Sequence, residues 1–422
     1  MQNVTELVCG IGILVVALFA PGVASAQPAD IGSRLMADPK IAAVVRQLQE
    51  DEPALLEEQV RICEVPAPPF EERARAELYK RLFEEAGLEN VRIDREGNVL
   101  GERRGRKPRP HVVFSAHLDT VFPEGTDVRV TRSGSELKGP GIGDDCRGLA
   151  VVLAVARAIV RNGIETEGTI TFVGTVGEEG LGDLRGVKHL FHTELAGRVD
   201  RFVSVDGAGL GITHAGVGSR RYRVTFRGPG GHSYGAFGMA NPIHALGRAV
   251  AAISEFQVPA DPRTTFNVGR IGGGTSVNSI PFESWMEVDM RSVDAGALAD
   301  LDRRFHEAID RAVAAENARW AAPGEVTAEK TLVGDRPAGA TPANSSIVAA
   351  ALSASRVLGI AARLNGGSTD ANIPMAMGIP AITIDGGGSG SSSHSLDETF
   401  DSRNSWKGTQ RAFLLAIALT FD

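Results

Sequence analysis

The sequence predicts an α/β fold, a mostly parallel sheet with helices on both faces, interrupted by a smaller α+β domain. Short continuous apolar runs, of which residues 112–116 are the first, are typical of parallel strands buried on both faces. Between residues 214 and 333 the order becomes strand, helix, strand, strand, helix, strand, which is the ferredoxin-like pattern. The alternation of helices and apolar strands resumes after Pro337. We therefore expect one domain made of residues 27–213 and 334–422, with a second domain, residues 214–333, inserted into it.

The composition is that of a globular protein with ordinary hydrophobic cores, because 43% of the 422 residues are hydrophobic and 23% are charged. The formal net charge of −8 argues against a nucleic-acid partner, whose phosphates require concentrated Lys and Arg. Two of the three cysteines, Cys63 and Cys146, are expected to be free thiols, since two cysteines do not make a disulfide framework.

The N-terminal residues predict a signal peptide, residues 1–26. The apolar run Val8–Ala20 is too short to span a bilayer comfortably, and Ala24-Ser25-Ala26 matches a small-x-small cleavage site before Gln27. Residues 1–7 carry no Lys or Arg, where a basic segment is expected, so a short membrane anchor is the alternative. Cleavage would release a periplasmic or secreted protein.

The stretch from Lys138 to Gly148 contains the most specific local signal. Residues 139–143 are small or rigid and lead into two adjacent acids, Asp144 and Asp145, before an apolar helix. Glycines let the backbone approach a ligand closely, and two neighbouring carboxylates repel each other unless a cation or a donor holds them. The stretch therefore indicates either a metal-binding carboxylate or a helix N-cap, a position at which Asp is preferred.

Three consecutive predicted strands deliver acids or a histidine to one rim of the sheet. The first strand ends in His117 and Asp119, the second in Glu178 and Glu179, and the third in Asp206. Because ligands bind outside the carboxyl ends of strands in open α/β sheets, these side chains lie where a site is expected. If His117 and Asp119 point the same way, the carboxylate can receive one ring N–H and fix the other nitrogen for a metal.

A loop rich in glycine and serine, residues 385–393, ends in the last candidate ligand, His394. A phosphate-binding loop is the rival interpretation, but the Gly-Lys-Ser/Thr ending is missing. Two histidines and several carboxylates suit zinc, which takes nitrogen and oxygen ligands. The acids outnumber those that one structural zinc requires, whereas two metals ~3.5–4 Å apart that share a carboxylate would use them all. The candidate residues are His117, Asp119, Asp144, Glu178, Glu179, Asp206 and His394.

Together these motifs resemble those of the co-catalytic di-zinc exopeptidases and deacylases. This family includes glutamate carboxypeptidase, peptidase T, acetylornithine deacetylase and succinyl-diaminopimelate desuccinylase. The resemblance covers nearly the whole mature chain and includes the inserted domain. The matching motifs are His-Leu-Asp at 117–119, Gly-Ile-Gly-Asp-Asp at 141–145, Gly-Glu-Glu-Gly at 177–180, Asp206, Gly-Gly-His-Ser at 230–233 and His394.

The resemblance implies a di-zinc centre, with cobalt or manganese as alternative metals. Asp144 would bridge the two ions, His117 and Asp206 would complete one site, and Glu179 and His394 would complete the other. Of the remaining residues, Glu178 would be the general base that deprotonates the bridging water, and Asp119 would orient His117. The Asp144–Asp145 peptide bond is expected to be cis.

For the inserted domain, the resemblance implies a lid that dimerises. His232 would reach into the active site of the partner in a homodimer and stabilise the oxyanion. Asn278 and Arg291 would contact a substrate carboxylate, and Gly366 and Gly367 would complete the substrate-binding residues.

The leading function is therefore a metal-dependent exopeptidase that acts on small peptides. In the family, Asp at the position of Asp206 tends to occur in peptidases and Glu in deacylases, so an N-acyl-amino-acid amidohydrolase is the alternative. A non-catalytic binding protein on the same fold is a distant third, because a decayed site should have lost ligands or the base, and every such position is filled.

Overall fold

The computed structural model describes residues 30–321 and 324–421. The predicted signal peptide, residues 1–26, lies outside the described residues. Within the two ranges, none of the helices has both the length and the apolar character needed to cross a membrane. Cys63 and Cys146 are free and buried.

Helices and strands alternate along the described chain. The helices are α1 (Ile31–Met36), α2 (Pro39–Glu50), α3 (Glu52–Cys63), α4 (Arg73–Glu85), α5 (Cys146–Arg161), α6 (Arg185–His189), α7 (Pro242–Ser254), α8 (Ala295–Arg319), α9 (Ser346–Val357), α10 (Asn372–Ala376) and α11 (Trp406–Ala418). The strands are β1 (Glu89–Ile93), β2 (Val99–Arg103), β3 (Val112–His117), β4 (Thr131–Ser133), β5 (Glu136–Lys138), β6 (Ile170–Thr175), β7 (Arg201–Val205), β8 (Ile212–Gly216), β9 (Gly218–Arg227), β10 (Gly231–His232), β11 (Thr264–Gly273), β12 (Ser279–Ile280), β13 (Glu283–Ser292), β14 (Thr327–Arg336), β15 (Gly339–Ala340), β16 (Leu364–Gly367), β17 (Ala381–Ile384), β18 (Ser389–Ser391) and β19 (Thr399–Asp401).

The large sheet is mixed, with the predicted parallel strands at its centre. Its order is β1-β2-β6-β3-β7-β17-β8-β15, and β16 pairs with β8. The four central strands, β6, β3, β7 and β17, run parallel, whereas β1, β2, β8 and β15 join the sheet antiparallel to their neighbours. The carboxyl ends of β6, β3 and β7 therefore lie side by side.

Helices cover both faces of the large sheet. Along β3, Val112, Phe114 and Ala116 lie in a core that also contains residues of α5 and α11. The intervening Val113 lies in a separate core with residues of α6 and α10. Because successive side chains of a strand point to opposite faces, this alternation places one helical layer on each face, as the sequence predicts.

The inserted domain has the predicted order β9-α7-β11-β13-α8-β14. Its antiparallel sheet has the order β11-β13-β9-β14, and α7 and α8 share with it a core in which Val224, Met286 and Phe305 are fully buried. β8, which ends at Gly216, belongs to the large sheet, and β14 continues to Arg336. The chain therefore changes sheet after Gly216 and returns after Arg336, and the predicted limits, 214 and 333, precede these points by a few residues.

A buried arginine joins α5 to its neighbours. The side chain of Arg147 is fully buried, and its Nη1 lies 2.9 Å from Oε1 of Glu52 in α3. The same guanidinium donates to the backbone oxygens of Gly386 and Ser405 and to the hydroxyl of Thr409. α5 begins directly after Asp144 and Asp145. The contacts of Arg147 therefore hold the start of this helix in place next to the two acids.

Arg147→Met is expected to destabilise the protein by about 3–5 kcal/mol, because removing one partner of a buried ion pair leaves the other charge uncompensated. Arg157→Met is the matched control on the same helix. Arg157 pairs with Glu58 but is 34% exposed, so its loss should cost less than about 1 kcal/mol. The two variants are compared with the wild type by urea unfolding followed by circular dichroism. Equal midpoints for the two variants would contradict this account.

Candidate metal centre and active site

The candidate site lies at the carboxyl ends of three parallel strands. His117 is the last residue of β3, Glu178 and Glu179 come shortly after β6, and Asp206 follows β7 directly. Because these strands are parallel neighbours, their side chains meet at one edge of the sheet. The chain therefore places the predicted strand-end residues together.

Asp144 lies between two histidines. Its Oδ1 is 3.0 Å from Nε2 of His117, and its Oδ2 is 3.2 Å from Nε2 of His394. A second carboxylate stands beside each histidine: Oδ1 of Asp206 is 3.9 Å from Nε2 of His117, and Oε1 of Glu179 is 2.8 Å from Nε2 of His394. The arrangement has two halves, each with one histidine and one carboxylate, and the halves share Asp144.

The donor set fits divalent metal ions. One ligand atom each from His117, Asp144 and Glu179 lie within 4.8 Å of one another. Imidazole nitrogen and carboxylate oxygen are the donors that zinc takes in catalytic sites. Carboxylates removed from water require a compensating positive charge, and His117 and Glu179 are both buried. The residues present could therefore hold the two metals that the sequence analysis expects.

The charges in this cluster act strongly on one another. Hydrogen bonds to Asp144 and Glu179 raise the pKa of His394 to about 10. Burial raises the pKa of Asp206 well above its usual range, and neighbouring carboxylates add to this effect. For Asp144, burial favours the neutral acid, but hydrogen bonds from both histidines outweigh it and lower the pKa. Carboxylates that stabilise protonated imidazoles in this way would also stabilise a metal cation beside them.

Asp145 has a different environment from Asp144. Its Oδ2 accepts a hydrogen bond from the backbone N–H of His117, and its Oδ1 accepts from those of Gly148 and Gly207. Asp145 also lies within ligand distance of His117, but backbone donors already occupy both of its oxygens, so we leave it out of the ligand set. It caps the N terminus of α5. The peptide bond between the two acids is cis, as the resemblance implied.

Glu178 is buried beside Arg336, which the sequence analysis did not single out. Nη1 of Arg336 lies 3.2 Å from Oε1 of Glu178, and Nη2 donates to the Glu178 carbonyl oxygen. Burial raises the pKa of Glu178 to about 8, although the positive charge of Arg336 opposes this shift. A carboxyl group with such a pKa can exchange protons near neutral pH.

Asp119 is fully buried next to His117. Nδ1 of His117 donates to the backbone carbonyl oxygen of Asp119 at 3.0 Å, whereas the nearest carboxylate oxygen of Asp119 is 3.8 Å away. The Asp119 carboxylate accepts instead from the backbone N–H groups of Glu178 and Glu179. The sequence predicts that the carboxylate receives the ring N–H if the two side chains point the same way. In the structure the backbone carbonyl oxygen receives it instead, and Nε2 faces the cluster.

Glu398 binds the backbone of the glycine-rich loop at residues 139–143, and it is not among the candidate residues that the sequence predicts. Its Oε2 accepts from the N–H of Gly141 at 3.0 Å, and its Oε1 accepts from those of Gly143 and Asp144 at 2.8 and 3.0 Å. The side chain is almost completely buried, which raises its pKa. The only signal in the sequence was its position shortly after His394.

A cavity of about 420 Å³ opens in front of the cluster. Of the residues expected to bind substrate, Arg291 and Gly367 line this cavity. Gly366, His232 and Asn278 are not among the described residues that line it. The cavity of one chain therefore contains some of the expected substrate contacts and not others.

His232 and Asn278 lie close together on the inserted domain. His232 belongs to β10, which pairs with β12, and the backbone N–H of Ser233 donates to the carbonyl oxygen of Asn278 at 2.9 Å. Both residues are exposed. The aromatic side chains of Tyr234 and Phe237 beside them are 90% and 77% exposed.

Comparison with known proteins relates the chain to a family of peptidases. The sequence model of peptidase family M20/M25/M40 matches residues 113–417. The uncharacterized protein YqjE of Bacillus subtilis is 26% identical over 348 residues, which span 79% of this chain and 90% of that protein. Succinyl-diaminopimelate desuccinylase of Nitrosospira multiformis is 30% identical over 288 residues, which span 63% of this chain and 75% of that protein.

A solved structure shows the same fold. The aminopeptidase PepT of Bacillus cereus is similar with a TM-score of 0.70 and 22% identity, over 86% of this chain and 98% of that chain. The family model covers more than half of the chain, and the desuccinylase is 30% identical across 75% of its own length. The chain therefore belongs to peptidase family M20/M25/M40 and is a hydrolase that acts on amide bonds.

Proposed function

We propose that the chain is an exopeptidase that hydrolyses an amide bond of small peptides with a water molecule activated between two zinc ions. The observation that supports this most directly is the position of Asp144, whose two oxygens face one histidine each. In this proposal His117 and Asp206 would hold one ion, Glu179 and His394 would hold the other, and both ions would share Asp144. Cobalt or manganese would be alternatives, since imidazole and carboxylate ligands also suit other divalent metals.

Two bound zinc ions would bring the pKa of a water molecule towards ~7 and polarise the substrate carbonyl. Glu178 takes the proton of the attacking water and passes it to the leaving amine. Arg336 supports this role because it binds both the backbone and one side-chain oxygen of Glu178. The Asp119 carboxylate accepts hydrogen bonds from the backbone N–H groups of Glu178 and Glu179, so it fixes the positions of the proposed base and of the adjacent proposed ligand.

An N-acyl-amino-acid amidohydrolase is the second candidate. The same chemistry cleaves an acyl amide, and a desuccinylase is 30% identical to this chain. Asp206 favours the peptidase, because the resembling peptidases tend to carry Asp at this position and the deacylases Glu. The substrate would be a small peptide in the first case and an N-acyl amino acid in the second.

We also propose that the chain forms a homodimer through the inserted domain and that His232 acts in the partner's active site. His232 and Asn278 are exposed and do not line the cavity of their own chain in its described part. Exposed Tyr234 and Phe237 follow His232 in the chain, and exposed Phe282 follows β12, which pairs with β10. Exposed apolar side chains that lie together mark interaction surfaces. β11 is an edge strand of the same domain, which leaves backbone groups available for pairing.

The N-terminal pattern supports export. We propose that the chain is cleaved before Gln27 and acts in the periplasm or outside the cell, because the apolar run and the small-residue motif are typical of signal peptides. N-terminal sequencing of the mature protein would test this, and a retained N terminus would favour the anchor.

With zinc bound, the chain from Gln27 onwards is expected to consume dipeptides and tripeptides from a mixed pool and to leave N-acyl amino acids unchanged. Because the proposed water is activated by metal, a chelator-treated sample should consume neither class. Mass spectrometry of the pool identifies the consumed species and the terminus that is trimmed. Consumption of N-acyl amino acids alone would support the amidohydrolase, and no consumption of either class would refute the proposed function.

Glu178→Gln is expected to retain two metal ions per chain and to lower kcat by about 10²–10⁴-fold, the usual effect of losing a general base. Glu179→Gln is the matched control at the neighbouring position, and it should lose metal because it removes a proposed ligand. Metal content is measured by inductively coupled plasma mass spectrometry, and kcat on a consumed peptide. A Glu178→Gln variant that keeps most of its activity would exclude Glu178 as the base.

His232→Ala and Glu178→Gln are each expected to be inactive alone and to restore activity together. In a mixed dimer, the His232→Ala chain keeps Glu178 and receives an intact His232 from its partner. Random pairing of equal amounts should give about a quarter of the wild-type activity, because half of the dimers are mixed and each has one complete site. Co-expression with two different affinity tags isolates the mixed dimer. Its failure to regain activity would show that His232 does not act across the dimer.

A further inference from the structure

Three arginines of the inserted domain line the cavity, namely Arg221 of β9, Arg291 of β13 and Arg336 of β14. Arg336 is bound to Glu178. Arg221 lies directly opposite Asp289 in the pairing of β9 with β13. Asp289 and Arg291 are two residues apart on β13, so they share one face of the sheet. Arg221, Asp289 and Arg291 therefore form one cluster, and its two arginines belong to the cavity wall.

Asp289 holds both guanidinium groups of this cluster by their Nε atoms. The distance from Oδ1 to Nε of Arg221 is 3.0 Å, and the distance from Oδ2 to Nε of Arg291 is 2.7 Å. Nη1 of Arg221 also donates to the backbone oxygen of Gly180 at 2.9 Å, beside the proposed ligand Glu179. Among the described residues, no protein acceptor binds Nη2 of Arg221 or either Nη of Arg291. One carboxylate thus orients two guanidiniums and leaves free donors and an excess of positive charge.

A second group of arginines on the same sheet shows what a purely structural arrangement looks like. Arg223 and Arg270 share the carboxylate of Glu287. Both guanidiniums, however, lie over the ring of Trp285, at 4.0 and 5.4 Å from its centroid, and neither arginine is among the described residues that line the cavity. The cluster at Asp289 differs because its unpartnered donors belong to the wall of the candidate active site.

Another acid in the cavity wall does not cancel this charge. Asp385 lines the cavity, but its Oδ2 accepts a hydrogen bond from the backbone N–H of Gly211 at 2.6 Å. Burial also raises the pKa of Asp385, so its neutral form is favoured. A cationic substrate group would need this carboxylate free and ionised, and the geometry does not favour that.

We propose that Arg221 and Arg291, oriented by Asp289, select substrates that carry two carboxylates, such as dipeptides ending in Asp or Glu. The inference rests on the proposed exopeptidase function. A guanidinium can hold a carboxylate through two N–H groups, and among the described residues both Nη groups of Arg291 are without a protein acceptor. Arg221 supplies a second guanidinium, which suits the carboxylate of an acidic side chain.

The experiment compares kcat/KM of the zinc-loaded protein on Ala-Glu, Ala-Gln and Ala-Lys. Ala-Gln has nearly the same shape as Ala-Glu but lacks its charge. Ala-Glu should be preferred over Ala-Gln by about ten- to hundredfold, the usual effect of a hydrogen bond to a charged group. Arg221→Gln should remove most of this preference, so that the ratio of the kcat/KM values on Ala-Glu and Ala-Gln falls towards one. Arg221→Lys, which keeps the charge, should retain part of it.

Two further variants separate recognition from folding. Arg223→Gln makes the same change of charge on the same strand outside the cavity, and it should leave the preference unchanged. Asp289→Asn should also reduce the preference for Ala-Glu over Ala-Gln, chiefly through a higher KM for Ala-Glu, because Asp289 orients the two arginines. Thermal unfolding of every variant confirms that each is folded.

The possible outcomes distinguish this inference from the function on which it rests. Equal hydrolysis of Ala-Glu and Ala-Gln by the wild type would overturn the inference and leave the exopeptidase standing. A preference for Ala-Lys, or a preference for Ala-Glu that survives in Arg221→Gln, would overturn it as well. If zinc-loaded wild type hydrolyses none of these dipeptides or any other peptide, the proposed function fails and the inference fails with it.

Discussion

The position of one carboxylate, Asp144, is the constraint on which the rest of the site depends. Its two oxygens can face two imidazoles only if the end of β3, the start of α5 and the loop ending at His394 converge. Each of these segments is held by contacts of its own. Arg147 joins α5 to its neighbours, and Asp145 ties the start of α5 to the end of β3. The candidate metal cluster is therefore supported by a buried polar framework that lies outside the proposed ligand set.

Much of this convergence could be predicted from the sequence, because it follows from how parallel strands are built. A strand buried on both faces is a continuous apolar run, so the change to His117, Glu178 or Asp206 marks its carboxyl end clearly. Adjacent parallel strands must bring those ends together. The pair Asp144–Asp145 left two interpretations open, and the structure explains why. Asp145 is occupied as a helix cap, and its neighbour is free to face the histidines.

The supporting residues could not be predicted, because their partners are distant in the chain. Glu398 binds the N–H of Gly141 across 257 residues, and Arg336 binds Glu178 across 158 residues. A buried glutamate and a strand-end arginine look like surface charges in a single sequence, since local periodicity does not show which loop they meet. Only the folded chain shows that the glycine-rich loop needs a carboxylate beneath it and that the proposed base needs an arginine beside it.

The inserted domain contacts the catalytic domain through one end of its sheet and leaves another part exposed. Arg336 and Arg221 bind Glu178 and Gly180 of their own chain, so hydrogen bonds connect this end of the sheet to the candidate site. His232 and the aromatic side chains around it lie elsewhere on the domain and remain exposed. The arginines that bind within their own chain, Arg221 and Arg336, would set the charge of the substrate pocket. His232, if a partner chain supplies it, would act only after the two chains have assembled. This division would let a domain that carries none of the proposed metal ligands influence both recognition and turnover.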